Sequence, residues 1–319
     1  MSSLTTLTKL LLHNLYVPQV GRTFKNIPTF TTLSSFKPPT PPESKGNAIY
    51  PDINLQINDN LPSSRRNADE NAVFVVTGSS RGIGKQIIQD ILQRTKGQIV
   101  ACCRTPETLT FDSDRVTPLH LDLENHLEIQ SASEYIKNNF GRVDVLWNVA
   151  GILGDGSRGK PERSLSQVDI DWTMKTFQMN TIGPLLFSQS LSPLMKTKSN
   201  NNSDRRQRTT SIIANLSARV GSISDNQLGG WYSYRMSKAA LNQATKTMGL
   251  ELKRQGTWTI ALHPGTTDTD LSKPFQKNVK KERLFPVEFT SGRLLDVVDC
   301  MEDKHSGGFF DWSGKALPF

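Results

Sequence analysis

From residue 72 onward, short apolar runs alternate with longer amphipathic stretches. Residues 72–76, 98–103, 116–121, 143–149, 211–216 and 257–262 have strand length, and Val73-Phe74-Val75-Val76 is apolar at every position rather than at every second one. Continuous apolarity marks a strand buried on both faces, as in a parallel sheet covered by helices. Between these runs, residues 83–94, 127–140, 168–195 and 234–254 carry helical patterns. Strand and helix alternating at this spacing predict βαβ units and an α/β fold: a single Rossmann-type doubly wound parallel sheet with helices on both faces, spanning residues 72–319. The polar stretch 196–210, with Asn200-Asn201-Asn202 followed by arginines, is expected as a surface loop between a helix and the next strand.

The N-terminal part has a different character. Residues 1–45 are rich in Ser and Thr, have no acid before Glu43, and open on a basic, partly amphipathic run. That composition predicts an organellar transit peptide, for mitochondrion or chloroplast. Pro38, Pro39, Pro41 and Pro42 exclude a helix there, and the Asn- and Asp-rich residues 46–71 are expected as a polar linker. The formal charge of +8 includes +4 from Lys9, Arg22, Lys25 and Lys37, leaving a mild balance for the rest of the chain. Nucleic-acid binding is therefore not expected. No apolar run approaches the roughly 18 residues of a membrane span. Cys102, Cys103 and Cys300 are too few and too oddly spaced for a disulfide framework or a zinc site, and no metal is expected.

Two features carry chemistry. Tyr234 and Lys238 stand four residues apart in a predicted helix, so they share a face. A cation beside a phenol favours the phenolate, which is how a tyrosine becomes able to exchange a proton near neutral pH. Far upstream, Gly78, Gly82 and Gly84 follow a strand and open a helix, where backbone can approach a pyrophosphate and free N–H groups attract it. The spacing Gly-x-x-x-Gly-x-Gly departs from the commoner dinucleotide fingerprint. The second strand ends in Arg104 with no acid before Glu107, and Arg81 lies in the glycine turn. Guanidinium forks match a 2′-phosphate, which favours NADP(H) over NAD(H).

These elements together resemble the short-chain dehydrogenase/reductase family over nearly all of residues 72–319. The likeness rests on Thr77–Gly84, Asp122-Leu123, Asn148-Val149-Ala150-Gly151, Asn180, Ser217, Tyr234, Lys238 and Pro264-Gly265. The stretches around Ser217, Tyr234 and Pro264 are similar to the C-factor and sniffer-like carbonyl reductases. The resemblance implies reduction of an aldehyde, ketone or quinone by NADPH. It implies Tyr234 as proton donor, Lys238 lowering its pKa and holding the nicotinamide ribose, Ser217 holding the substrate oxygen, and Asn180 positioning a water. It further implies cofactor contacts from Gly78, Ser80, Arg81, Gly82, Ile83, Gly84, Arg104, Asp122, Leu123, Asn148, Ala150, Gly151, Pro264, Gly265, Thr267 and Thr269. Homodimers or homotetramers pairing through the helices at 168–195 and 234–254 are common in such proteins.

The chain departs from the family pattern at Val149, where a second asparagine is usual. It also departs in the Ser217–Tyr234 interval, lengthened by Ser224-Asp225-Asn226-Gln227-Leu228. Two alternatives stay open: a reductase of 3-oxoacyl thioesters, and a nucleotide sensor with little turnover. The segments 152–163 and 270–289 are expected to line the substrate pocket.

Overall fold

The computed structural model describes residues 36–43, 47–154, 160–197, 208 and 210–319. The first helix, α1 (Pro62–Ala68), precedes the sheet. Six strands then follow the expected order: β1 (Val73–Thr77), β2 (Gln98–Cys103), β3 (Val116–His120), β4 (Val145–Asn148), β5 (Ser211–Leu216) and β6 (Thr257–His263). The helices between them are α2 (Gly82–Arg94), α3 (His126–Phe140), α4 (Ile170–Phe177), α5 (Gly183–Leu191) and α6 (Tyr232–Leu252). After β6 come the short parallel pair β7 (Thr266–Thr267) and β8 (Leu284–Phe285), helix α7 (Val287–Asp299) and a seventh main strand, β9 (Gly308–Asp311).

The main sheet runs β3-β2-β1-β4-β5-β6-β9, and every neighbouring pair is parallel. The order reverses between β1 and β4, which opens a crevice at the strand ends where such sheets bind ligands. Every residue of β1 is buried, because apolar cores lie on both faces of the sheet. One core gathers Phe74, Ile87, Trp147 and Leu294, and the other Val75, Ile136, Phe187 and Ile213. Local chemistry sets the helix ends. Asn125 Oδ1 accepts from Leu127 N at 3.0 Å to start α3, Gly141 ends it in the left-handed region at φ 67°, and Asp169 Oδ1 caps α4 through Trp172 N at 2.8 Å.

Two expectations are corrected. The helix predicted over 168–195 is α4 and α5 joined by one π turn, Gln178–Ile182, with a 3₁₀ turn at its end. A Cβ at Gly183 would lie 2.6 Å from Leu123 O, so the chain approaches the end of the third βα connection closely there. Residues 47–71 of the expected linker also pack on the domain rather than standing free. Ile53 is buried and its N–H donates to Gly314 O at 2.8 Å, Asp52 Oδ1 accepts from Ala316 N at 2.7 Å, and Arg66 is ion-paired with buried Asp299 at 2.5 Å. Such anchors and ion pairs, each with a partner more than 230 residues away, are invisible in a composition window. Phe36 packs edge-on against Phe285 and Phe289, while residues 1–35 of the expected leader lie outside the described residues. Most of the 196–210 loop lies outside them too. Among the described residues, no helix is long and apolar enough to cross a membrane.

Candidate active site

At the C-terminal end of β1, Gly78 turns at φ 68°, and a Cβ there would meet the Ala150 backbone at 2.9 Å. A Cβ at Gly84 would meet Gly78 O at 2.3 Å, so α2 can start this close to the strand only with glycine. No acid sits in the first turn of α2 and no side chain caps it, which leaves its N–H groups and positive end open to an anion. Ser79 Oγ, buried in the same turn, has no hydrogen-bond partner among the described residues. Thr77 Oγ1 accepts from Val149 N at 3.0 Å and Ala150 N at 3.2 Å, tying β4 to β1 below the crevice. That tie uses backbone N–H groups, so the departure at Val149 leaves it intact. A tight glycine cradle, an open helix end and an unpartnered hydroxyl fit a bound pyrophosphate.

The residues expected to choose between the two nicotinamide cofactors flank this turn. Arg104 is exposed at the end of β2, and the last residue of that strand, Cys103, pairs with His120. Arg81 lies 3.5 Å from Asp270 as an exposed ion pair, a weak contact that a phosphate can displace. Asp122 N donates to Glu128 Oε2 at 3.0 Å, so Glu128 shapes the loop after β3. Asn148 is turned into the protein: Nδ2 donates to Ser188 Oγ at 3.0 Å and to Asn215 Oδ1 at 2.8 Å. Beyond β6, Thr267 Oγ1 is 2.9 Å from Thr290 Oγ1 on α7, and a Cβ on Gly82 would lie 3.4 Å from Thr269 Cγ2. The loop after Pro264-Gly265 therefore reaches back over the glycine turn.

Ser217, Tyr234 and Lys238, expected to transfer a proton, gather where β5 ends against α6. Lys238 Nζ donates to Leu216 O at 2.7 Å, and the Oγ of the next residue, Ser217, donates to Asn242 Oδ1 at 2.6 Å. Lys238 Nζ lies 5.8 Å from the centroid of the Tyr234 ring. Burial lowers the Lys238 ammonium to about 7 and raises the partly exposed Tyr234 phenol above its ordinary value. Burial therefore dominates the phenol here, and the lysine donates to Leu216 O rather than to it. The π turn brings Asn180 beneath these groups. Its Oδ1 accepts from Ile152 N at 2.8 Å and its Nδ2 donates to Ile152 O at 2.9 Å and Ser237 Oγ at 3.1 Å.

Sequence reasoning missed what holds α6 in place. Its first turn contains no acid, yet the buried Glu162 carboxylate accepts from Ser233 N at 3.3 Å and from Ser233 Oγ, with Thr173 Oγ1 2.8 Å from the same hydroxyl. Gly229, Gly230 and Trp231 all have positive φ, and Trp231, at 53°, is the one non-glycine residue there among those described. Such a conformation persists only when its surroundings impose it. Here Trp231 N donates to Glu162 O at 2.5 Å, and the Arg235 guanidinium donates to Gly230 O at 2.9 Å and Gly229 O at 3.0 Å. Trp231 then stands 6.2 Å from the Tyr234 ring and 5.2 Å from Phe275, centroid to centroid. The signal available in the sequence was the pair of glycines just before an uncapped helix. Residues 155–159 of the expected pocket segment lie outside the described residues.

A doubly wound parallel sheet carrying a glycine turn at one strand end and Ser217, Tyr234 and Lys238 at another defines a Rossmann-type domain. The chain belongs to the short chain dehydrogenase family, whose model matches residues 72–280. It is 35% identical over 179 residues to the C-signal protein of Myxococcus xanthus, covering 56% of this chain and 94% of that one. Among solved structures, the carbonyl reductase Sniffer of D. melanogaster superposes with a TM-score of 0.67 at 26% identity, covering 79% of this chain and all of the other. An NADPH-bound carbonyl reductase from chicken fatty liver superposes with a TM-score of 0.65 at 26% identity, covering 78% of this chain and 99% of its own.

Proposed function

We propose that the protein reduces a carbonyl compound (an aldehyde, ketone or quinone) to an alcohol, using NADPH. The observation that carries this reading is the meeting of Ser217, Tyr234 and Lys238 around one helix, beside a glycine turn suited to a dinucleotide. NADPH supplies the hydride that adds to the carbonyl carbon. Ser217 holds the carbonyl oxygen, where a donor is worth most because negative charge develops there. Tyr234, kept protonated by burial, gives that oxygen its proton as the C–O double bond becomes single. Lys238, whose ammonium burial brings down to about 7, needs only to leave Leu216 O to stand by the phenolate that remains. Asn180 fixes Gly151 and Ile152 beside the lysine: a Cβ on Gly151 would lie 3.5 Å from Lys238 Nζ.

Arg104 and Arg81, with no carboxylate at the end of β2, support NADPH as the cofactor. The Trp231–Phe275 contact beside Tyr234 supports a substrate with an apolar group next to its carbonyl. The leader, with no acid before Glu43, supports an organellar address, which a fluorescent fusion of residues 1–45 reads directly.

The test of function is consumption of NADPH and of NADH by the full chain against aldehydes, diketones, quinones and 3-oxoacyl thioesters. Turnover is expected with NADPH and apolar ketones or quinones. Tight NADPH binding with no turnover on any carbonyl would instead support a sensor, and turnover confined to thioesters would support an acyl-chain reductase.

A further inference from the structure

Next to the serine lies a buried amide with only one end satisfied. Asn242 Oδ1 accepts the Ser217 hydroxyl at 2.6 Å, whereas Asn242 Nδ2 has no partner among the described residues. Both residues are 2% exposed, and Asn242 stands one helical turn beyond Lys238 and two beyond Tyr234 on α6. A hydroxyl has one proton to give. Directed at Asn242 Oδ1, that proton is not available to a substrate, and Ser217 can only accept. An oxygen gaining negative charge needs the opposite, a donor.

A half-turn of the amide resolves both mismatches. Its two ends are the same size, so exchanging them keeps the packing and reverses the hydrogen bond. Nδ2, unpartnered before, then donates to Ser217 Oγ, and the hydroxyl proton is free to point at the substrate oxygen. Oδ1 loses its donor, but the bond gained between Ser217 and the developing charge is the stronger of the two. Among side chains of this size, an ionised aspartate only accepts and leucine does neither.

We infer that Asn242 is a positioning residue that switches Ser217 between a parked and a donating state. It presents Oδ1 in the free site and Nδ2 when a carbonyl oxygen is bound. This rests on the reading of Ser217 as the group that holds that oxygen.

The test compares Asn242→Asp with Asn242→Ala, each alone and combined with Ser217→Ala, in the full chain. Steady-state carbonyl reduction is measured across pH, with NADPH affinity and melting temperature followed on the same samples. Asn242→Asp holds the serine proton, so its kcat should fall by roughly 100-fold at neutral pH, the size of a lost oxyanion donor. Its activity should recover as acid protonates the new carboxyl. Asn242→Ala leaves the serine free to rotate and should lose about tenfold or less, with NADPH affinity unchanged in both. In the Ser217→Ala background neither change should matter further. Equal losses for Asp and Ala, no recovery in acid, or a loss that persists without the serine would overturn the inference. If Asn242→Asp does not fold, the Ala variant with and without Ser217 still decides. Full turnover by Ser217→Ala alone would overturn the assignment of the serine itself, a separate failure.

Discussion

Where β1, β4 and β5 begin, Asp144 lies between Arg142 at 2.7 Å and Arg208 at 3.0 Å and also receives the Val73 N–H at 2.8 Å. Around the ends of the same strands, Ser79 Oγ, Asn148 Oδ1 and Asn242 Nδ2 are buried without partners among the described residues. The first edge is organised by ion pairs that include Arg142–Asp69, with Arg66–Asp299 and Arg94–Asp296 joining helices nearby. The second edge carries unsatisfied groups, each costing about 1–3 kcal/mol, and a strained Trp231. The neutral polar groups left open near the glycine turn and Ser217 are suited to a ligand that completes them, whereas the charges around Asp144 complete one another. The same contrast separates two helix starts. The start of α2 is left open, while α6, which must hold Tyr234 and Lys238 still, is capped from a distance by Glu162.

Substitutions at the two edges should therefore fail in different ways. Replacing Lys238 with Met should lower kcat for carbonyl reduction by roughly 10²–10⁴-fold, the usual contribution of assisted proton transfer, without unfolding the protein. Steady-state assays with melting curves test this. At the other edge, Arg66→Met leaves Asp299 buried without its partner. Stability should fall by about 3 kcal/mol in urea titrations, with kcat per folded molecule unchanged. A loss of kcat there would break the separation. Arg104→Asp should weaken NADPH binding by about tenfold or more and spare NADH, read by fluorescence titration; each factor of ten is about 1.4 kcal/mol.

The smallest effect concerns pH. Burial holds the folded Lys238 near 7, below its unfolded value, so the unfolded chain binds more protons between those two values. Stability from this group rises as pH increases through that window and levels off above it. The melting temperature of the wild type should gain on that of Lys238→Met as the pH rises above about 7. A constant difference would contradict the burial of a neutralised lysine.

Strands β1 to β6 were legible because continuous apolar runs such as Val73–Val76 can only sit between two covered faces. The strand β9 was not: Gly308-Phe309-Phe310-Asp311 is too short to show a period, and its place is set by pairing with β6. Helices α1 and α7 were also missed, since Ser63 and Arg66 bond to Asp299 across more than 230 residues. In the site, the Tyr234–Lys238 spacing was readable because helix geometry is local. The parts set by tertiary contact were not: Glu162 reaching Ser233, and Lys238 turned to Leu216 O rather than to the phenol. Asn242 could have been found, as it continues the Tyr234 and Lys238 face by one more turn.

The central claim, that the C-terminal edge of the sheet performs proton transfer to a carbonyl through Tyr234, is tested most directly by Tyr234→Phe. The measurement is NADPH oxidation with the best carbonyl substrate, beside NADPH affinity and melting temperature. The account predicts turnover lost by at least roughly 100-fold with cofactor affinity and folding retained. Undiminished turnover in a folded, NADPH-binding variant would contradict it.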